Sequence, residues 1–467
     1  MQIKKIILEN NPIFGDKVEF DFTKEDGSVY NNILLIGENG SGKSSLLDII
    51  FNFSNWEPQD VELLWKIEFE IRLSKSEKNI TAGEICTFEG NDFLDLKFTI
   101  DWSKEYRDQM KIICQGKEIR RKDEIKEILR SIYSTAEIAF NSDTPRSVTR
   151  STLDQVIKIS VKSSPNMADK IVQLLVDIRQ QDNEDEASYR DKNGKPIEEN
   201  NRQLRTKRFK NAFSKIFDIL KYLWVDKDLK PIFKKWWEEF DITKLSSGEK
   251  QIVFRWWFLL KDQGSLLWAP VLIDEPEISL HPSRQLKILD YYRTIFTDPN
   301  TNVQTSQMFF TTHSPYVLKS YKKDDYKIFI FKRDPETQKV VIMPDTDLDD
   351  NPTWWEINRY AYDLPTIEFH DELYWYLHEN YIDWGSDDKD KNNRSKISSF
   401  DVYLFWKIKE NKMKYNRLQT DWTTLSDDVT IQTYIRNVVH HPENTHNKLY
   451  SMYELKKSIE AMIQLKK

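Results

Sequence analysis

The stretch Asn31–Ile50, "NNILLIGENGSGKSSLLDII", constrains this chain more than any other. Its apolar start reads as a buried parallel strand. The strand runs into Gly37-Glu38-Asn39-Gly40-Ser41-Gly42-Lys43-Ser44, which fits G-x-x-x-x-G-K-[ST]. Ser45 and an apolar helical pattern follow at once. Strand, glycine-rich loop and helix together make a phosphate cradle. The glycines let the loop curl so that backbone N–H groups face phosphate oxygens, and the helix N-terminus adds partial positive charge. Lys43 is placed to reach the β- and γ-phosphates, and the Ser44 hydroxyl to meet Mg²⁺.

Downstream segments decide what such a cradle does. "LSSGEKQIVFRWWFLL" begins at Leu245 and presents Ser246, Ser247, Gly248 and Glu249 at a helix start. "APVLIDEPEISLHP" begins at Ala269 and reads as a buried strand ending at Asp274, followed by Glu275. "SQMFFTTHSP" is a further apolar strand ending at His313. Asp274 is suited to hold Mg²⁺ and Glu275 to orient an attacking water.

These four motifs, in this order, resemble those of ABC-class ATPases of the SMC-like branch. The wording "KLSSGEKQ…IDEPEISLHP…THSP" is similar to that of the small ATPases of RecF, OLD and anti-phage defence groups. The resemblance covers roughly residues 1–340 at the level of motifs. It implies an α/β fold: an ABC-type P-loop ATPase head with a mixed sheet and an antiparallel β-subdomain, a short helical arm and an α-helical C-terminal domain. It also implies ATP and Mg²⁺ as ligands. Residues 246–249 occupy the signature, Ser279–Pro282 the D-loop, and His313 the switch histidine that contacts the γ-phosphate. Each ATP would lie between the P-loop of one protomer and the signature of another, so a homo-oligomer is expected. Gln115 and the Asn10–Asn11 loop are the candidates for the Q-loop and the adenine pocket.

The expected organisation is an N-terminal lobe over 1–149, an arm over 150–241, a second lobe over 242–345 and a C-terminal domain over 352–467. Alternating segments after the P-loop helix, "EICTFEG" and "STAEIAFNS" among them, predict strands. "NMADKIVQLLVDIRQQ" and "RQLRTKRFKNAFSKIFDILKYLW" read as two amphipathic helices with a mobile polar stretch between them. That arm is a stub, since a twenty-residue helix spans only ~30 Å. Partner binding or oligomerisation suits it better than long-range DNA tethering. The acidic loop "DTDLDD" lacks the pattern of an internal TOPRIM nuclease.

Net charge is −7, so the whole surface does not advertise nucleic-acid binding, although "RQLRTKRFK" could form a local basic groove. Two cysteines, Cys86 and Cys114, exclude a disulfide framework and a cysteine-rich zinc site. No long apolar run predicts a membrane span, and a cytoplasmic location is expected. Most of the tryptophans in the pairs 236–237, 256–257 and 354–355 are expected in core or interface packing rather than on a base-stacking surface.

Near the C-terminus, "TYIRNVVHHPENTHN" holds Arg436-Asn437-x-x-x-His441. This fits the R-N-x-x-x-H pattern of HEPN ribonucleases, in which Arg and His cleave RNA without metal. The alternative is a structural helix end, with Asn444 capping the next helix. Taken together, the resemblance is to ATPase partners in PARIS-type and Septu-type anti-phage systems. It implies a separate nuclease effector, of TOPRIM or HNH type, and a phage-encoded trigger protein. An ATP-gated ribonuclease and a RecF-like DNA-repair ATPase are the other readings.

Overall fold

In the computed structural model the chain is described apart from residues 56–65, 75–92, 102, 105–109, 120–128, 137–144, 146, 152, 155–159, 165, 197–204, 218, 265–268, 299–300, 335, 344–347, 349–351, 381–396, 419–423 and 467. It divides into two compact units, Met1–Asn351 and Pro352–Lys467.

The first unit opens with β1 (Gln2–Asn11) and β2 (Gly15–Asp21), an antiparallel hairpin. Next come β3 (Asn32–Gly37), buried along its whole length, and α1 (Lys43–Asn55), which packs Leu46, Leu47, Ile50 and Phe51 into the core. The strands β4 (Lys66–Ser74), β5 (Phe93–Asp101), β6 (Met110–Cys114) and β7 (Lys117–Glu118) complete a six-stranded antiparallel sheet in the order β2-β1-β4-β5-β6-β7. β5 alternates buried and exposed residues, as a sheet with one wet face requires.

The short strands β8 (Ile132–Ser134) and β9 (Val161–Lys162) belong to the second sheet. The arm follows with α2 (Met167–Asn193) and α3 (Thr206–Ile216). A three-stranded antiparallel sheet comes next: β10 (Leu220–Val225), β11 (Pro231–Lys235) and β12 (Glu238–Asp241). Helix α4 (Ser247–Lys261) is then buried over nearly all its turns, which is why Trp256 and Trp257 are core residues. Beyond it lie β13 (Val271–Ile273), α5 (Ile288–Ile295), β14 (Met308–Thr312), β15 (Tyr326–Arg333) and β16 (Val340–Met343).

The seven-stranded sheet has the order β16-β15-β3-β14-β13-β8-β9. All its pairings are parallel except β15 with the edge strand β16. The carboxyl ends of β3, β13 and β14 therefore emerge on one side of one sheet. That crevice is where open α/β sheets bind ligands.

The second unit packs α6 (Ile367–Glu379), α7 (Ile397–Ile408), α8 (Ile431–His440) and α9 (Met452–Lys466) around Phe369, Leu373, Phe400, Leu404, Ile435 and Ile459. A hairpin of β17 (Met413–Leu418) and β18 (Thr424–Val429) is added to this helical unit.

Several local expectations change. The second arm helix ends at Ile216, and its last segment is strand β10 instead. The polar stretch after Gln181 continues α2 to Asn193, where Gly194 caps the helix by donating to the Arg190 carbonyl. Asn444 caps no helix. It donates to the Asn416 carbonyl, while Ser451 and Glu454 cap α9. Trp236 and Trp237 stand exposed in the turn between β11 and β12. Two arginines of the basic run are engaged with carboxylates, Arg205 with Asp182 and Asp185, and Arg208 with Asp154. "EICTFEG", most of "STAEIAFNS" and most of "DTDLDD" lie outside the described residues. Among the described residues no helix is long and apolar enough to cross a membrane.

Candidate active site

The glycine-rich loop joins β3 to α1 at the carboxyl end of the parallel sheet. Gly37 has φ +149°, and a Cβ there would lie 2.3 Å from the Phe331 carbonyl oxygen, so only glycine fits. Glu38, Asn39 and Gly40 form the exposed apex, and Ser41 is buried beneath it. Lys43 folds back into the loop, where its Nζ donates to the carbonyls of Gly37 at 2.8 Å and Glu38 at 2.7 Å. Burial pushes the Lys43 ammonium below its ordinary value, against the pull of Glu275 and Asp274. Ser45 lies half-buried in the first turn of α1.

Ser44 and Asp274 meet directly, with Ser44 Oγ donating to Asp274 Oδ1 at 3.0 Å. Thr311, from the neighbouring strand β14, donates its hydroxyl to the same carboxylate oxygen. Burial raises the Asp274 carboxyl above its usual range, and the hydrogen bonds from Thr311 and Ser44 oppose that shift. A hydroxyl beside one carboxylate fits the partial ligand set of Mg²⁺, which completes its shell with water and phosphate oxygens. Among the described residues no cluster of three or more His, Cys, Asp or Glu could hold a metal ion by itself.

Glu275 has φ +45°, an uncommon backbone conformation for a side-chain-bearing residue. The turn is fixed by its N–H, which donates to Thr311 Oγ1 at 2.9 Å. His313 Nδ1 lies 3.4 Å from Glu275 Oε1. The hydrogen bond to His313 holds the Glu275 carboxyl below its usual range, and the same bond raises the imidazole. Glu277 is buried behind them. Its Oε1 accepts from the Thr312 hydroxyl at 2.6 Å and from the His313 N–H at 3.1 Å.

Ser246, Ser247, Gly248 and Glu249 form a capped helix start. The Glu249 N–H donates to Ser246 Oγ at 3.3 Å, and the Ser246 N–H donates to Glu249 Oε2 at 3.0 Å. Lys235 on β11 donates to Glu249 Oε1 at 3.0 Å, tying this turn to the three-stranded sheet. A Cβ on Gly248 would sit 2.4 Å from the Ser279 carbonyl, so the Ser246–Glu249 turn and the Ser279–Pro282 segment are packed backbone to backbone.

The motifs thus meet through Ser44 with Asp274 and Glu275 with His313, while Lys43 stays on its own loop. Four further residues hold them and lie outside the motif reading: Arg255, Thr311, Thr312 and Glu277. Arg255 is fully buried, with Nη1 donating to the Asp274 carbonyl at 2.7 Å. Its Nη2 donates to the carbonyls of Thr135 at 2.8 Å and Ala136 at 2.9 Å. A lone arginine inside "IVFRWWFLL" was the available signal, because a buried charge needs partners. Gln115 is exposed in the turn between β6 and β7. Asn11 uses its side-chain oxygen to accept from the N–H groups of Ile13 and Phe14, a turn-forming role.

In the second unit Arg436 and His441 both line a cavity of about 930 Å³, whose wall mixes Asp401, Asp427, Asp428 and Glu443 with Lys412 and Arg417. The Arg436 guanidinium lies 5.3 Å from the Trp375 ring centre, and Nη1 donates to Asn437 Oδ1 at 3.0 Å. His441 follows the last turn of α8, and its Nδ1 is 3.3 Å from Glu443 Oε1.

Fold and site define a nucleotide-binding protein of the P-loop ATPase class. Residues 33–319 match the family described as "AAA domain, putative AbiEii toxin, Type IV TA system", and the chain belongs to that family. No curated relative matches it by sequence. Among solved structures it is similar to an Smc head bound to the C-winged helix domain of ScpA, at 14% identity and TM-score 0.41, over 73% of this chain and 98% of that one. It is also similar to the SMC head domain from Thermotoga maritima, at 13% identity and TM-score 0.40, over 73% of this chain and 99% of that one. The Smc head domain with an extended coiled coil, bound to the C-terminal domain of ScpA and derived from Pyrococcus furiosus, matches at 13% identity and TM-score 0.40, over 73% of this chain and 96% of that one.

Proposed function

We propose that this chain binds and hydrolyses ATP as the sensor or scaffold subunit of a bacterial anti-phage defence complex. In this reading it controls a separate nuclease effector through ATP-dependent assembly of a homo-oligomer. The observation that carries the ATP reading is the direct contact of Ser44 with Asp274, with Glu275 and His313 paired next to them. Lys43, held on loop carbonyls, can transfer its donors to phosphate oxygens. Ser44 and Asp274 would hold Mg²⁺, which when bound neutralises charge on the β- and γ-phosphates. Glu275 stays ionised beside His313 and can accept a proton from, and so orient, the attacking water. His313 supplies a donor for charge that develops on the γ-phosphate.

The defence role draws its support from the motif wording and from the resemblance to PARIS-type and Septu-type ATPases. The arm, whose longest helix among the described residues is α2 at 27 residues, suits a partner contact better than long-range tethering. The ribonuclease reading draws less support, since Arg436 is held against Trp375 and Asn437, and His441, past the last turn of α8, faces Glu443.

Glu275→Gln tests the ATP reading. It keeps size and hydrogen bonding but cannot accept the proton, so turnover should fall ~100-fold or more while ATP stays bound. Turnover and ATP retention are measured on the same preparation. A normal hydrolysis rate in this variant removes Glu275 from the water-orienting role.

A further inference from the structure

The apex of the phosphate loop is gripped by an arginine that lies beyond the family match. Arg333 ends β15, two positions after Phe331, which pairs with Gly37 across the parallel sheet. Its Nε and Nη2 both donate to the Gly40 carbonyl, at 2.9 and 2.6 Å, and its Nη1 donates to the Gln338 carbonyl at 3.2 Å. One planar fork therefore ties the loop apex to the turn that joins β15 to β16. Other contacts at this place run the same way. A Cβ on Gly42 would lie 3.1 Å from Val340 Cγ2 and 3.3 Å from Ile13 Cγ2. Val340 in turn donates its N–H to the Ile13 carbonyl at 2.9 Å.

The Gly40 carbonyl shares its peptide plane with the Ser41 N–H. That N–H donates to the Glu38 carbonyl at 3.2 Å, a long turn bond that an anion can displace. A charged donor on the carbonyl fixes the plane and polarises it, which makes the Ser41 N–H a stronger donor. The guanidinium also places a full positive charge beside a loop that must gather phosphate charge.

We propose that Arg333 is a positioning residue for the nucleotide: through the Gly40–Ser41 peptide it preorganises the cradle and raises affinity for the polyphosphate. The inference rests on the proposed ATP site. Arg333 acts on binding and leaves the water-attack step to Glu275 and His313.

Calorimetric titration of the full chain with ADP and Mg²⁺ tests it, alongside steady-state ATP hydrolysis. Arg333→Ala should weaken ADP binding about five- to tenfold, the effect of one charge-assisted hydrogen bond at an exposed site. KM for ATP should rise by the same factor with kcat within about twofold, as loss of uniform binding requires. The melting temperature without nucleotide should fall only slightly, since these bonds lie at an exposed site. Arg333→Lys restores the charge without the fork and should fall between wild type and Arg333→Ala. Wild-type affinity in Arg333→Ala overturns the inference. So does a fall in kcat at unchanged affinity. If Arg333→Ala does not fold, Arg333→Lys decides, and a wild-type dissociation constant there overturns it too. Failure of the wild-type chain itself to bind ADP removes the ATP site, a result distinct from any effect of Arg333.

Discussion

His313 Nδ1 lies 3.4 Å from Glu275 Oε1 and 3.7 Å from Glu277 Oε1, so one imidazole faces two carboxylates. The two acids shift in opposite directions. Glu275 is held below its usual range by the His313 hydrogen bond, while burial raises Glu277. Glu277 anchors the backbone at His313, and Glu275 is the nearer carboxylate to its imidazole.

A pH dependence follows from this pair. The raised His313 contributes stability that is complete below its ordinary value of 6.5 and is lost as pH climbs through its folded value. The depressed Glu275 contributes stability present above 4.5 and lost as pH falls through its folded value. The stabilisation is therefore fullest between these limits. Melting temperatures of wild type and His313→Gln, compared from pH 5 to 9, should differ most below about pH 6.5 and converge at the alkaline end. A gap that widens with rising pH contradicts the pairing.

Arg255 should matter for folding more than for nucleotide contact. Its guanidinium serves the carbonyls of Asp274, Thr135 and Ala136 from a fully buried position. Arg255→Leu leaves those carbonyls without their donor, at a cost of about 3–5 kcal/mol. Urea unfolding of the variant should show a correspondingly lower midpoint. A midpoint within error of wild type would mean that water or neighbouring side chains replace the arginine.

How far the sequence discloses this site depends on how local each contact is. Gly37 to Ser44 declare themselves because strand, loop and helix are contiguous. Asp274 and Glu275 declare themselves at the end of an apolar strand. The partners of Arg255 Nη2 are not legible in this way, since they are main-chain oxygens 120 and 119 residues away. Thr311 looks like one more strand residue until β14 is seen beside β13. The segment at Leu220–Val225 misleads for another reason. "LKYLWV" suits either period, and only its pairing with β11 makes it a strand.

The signature turn provides a test of assembly. Ser246 bonds Glu249, Glu249 accepts from Lys235, and Gly248 packs on Ser279, at a turn built separately from the Lys43 loop. In the composite-site reading each ATP needs the P-loop of one copy and the signature of another. Lys43→Ala removes the first half and Ser246→Arg the second. Each variant alone should be inactive, and a mixture should regain part of the turnover because mixed dimers keep one intact site. A mixture no more active than its parents argues against the two-copy site, or for a strict requirement that both sites work together.

Arg436 and His441 close the set. Arg436 stacks on Trp375 and bonds Asn437, and His441 pairs with Glu443, so both have structural partners within their own unit. Their loss should reduce stability by ~1–3 kcal/mol for Arg436→Ala and by less for the exposed His441→Ala. Incubation of the full chain with ATP and total tRNA, with no nuclease present, should leave the RNA intact. The reasons are an arginine already engaged with Trp375 and Asn437 and an imidazole that already faces Glu443. RNA cleavage that disappears in both variants, with ATP turnover and assembly unchanged, would make this protein its own effector and leave no role for a separate nuclease.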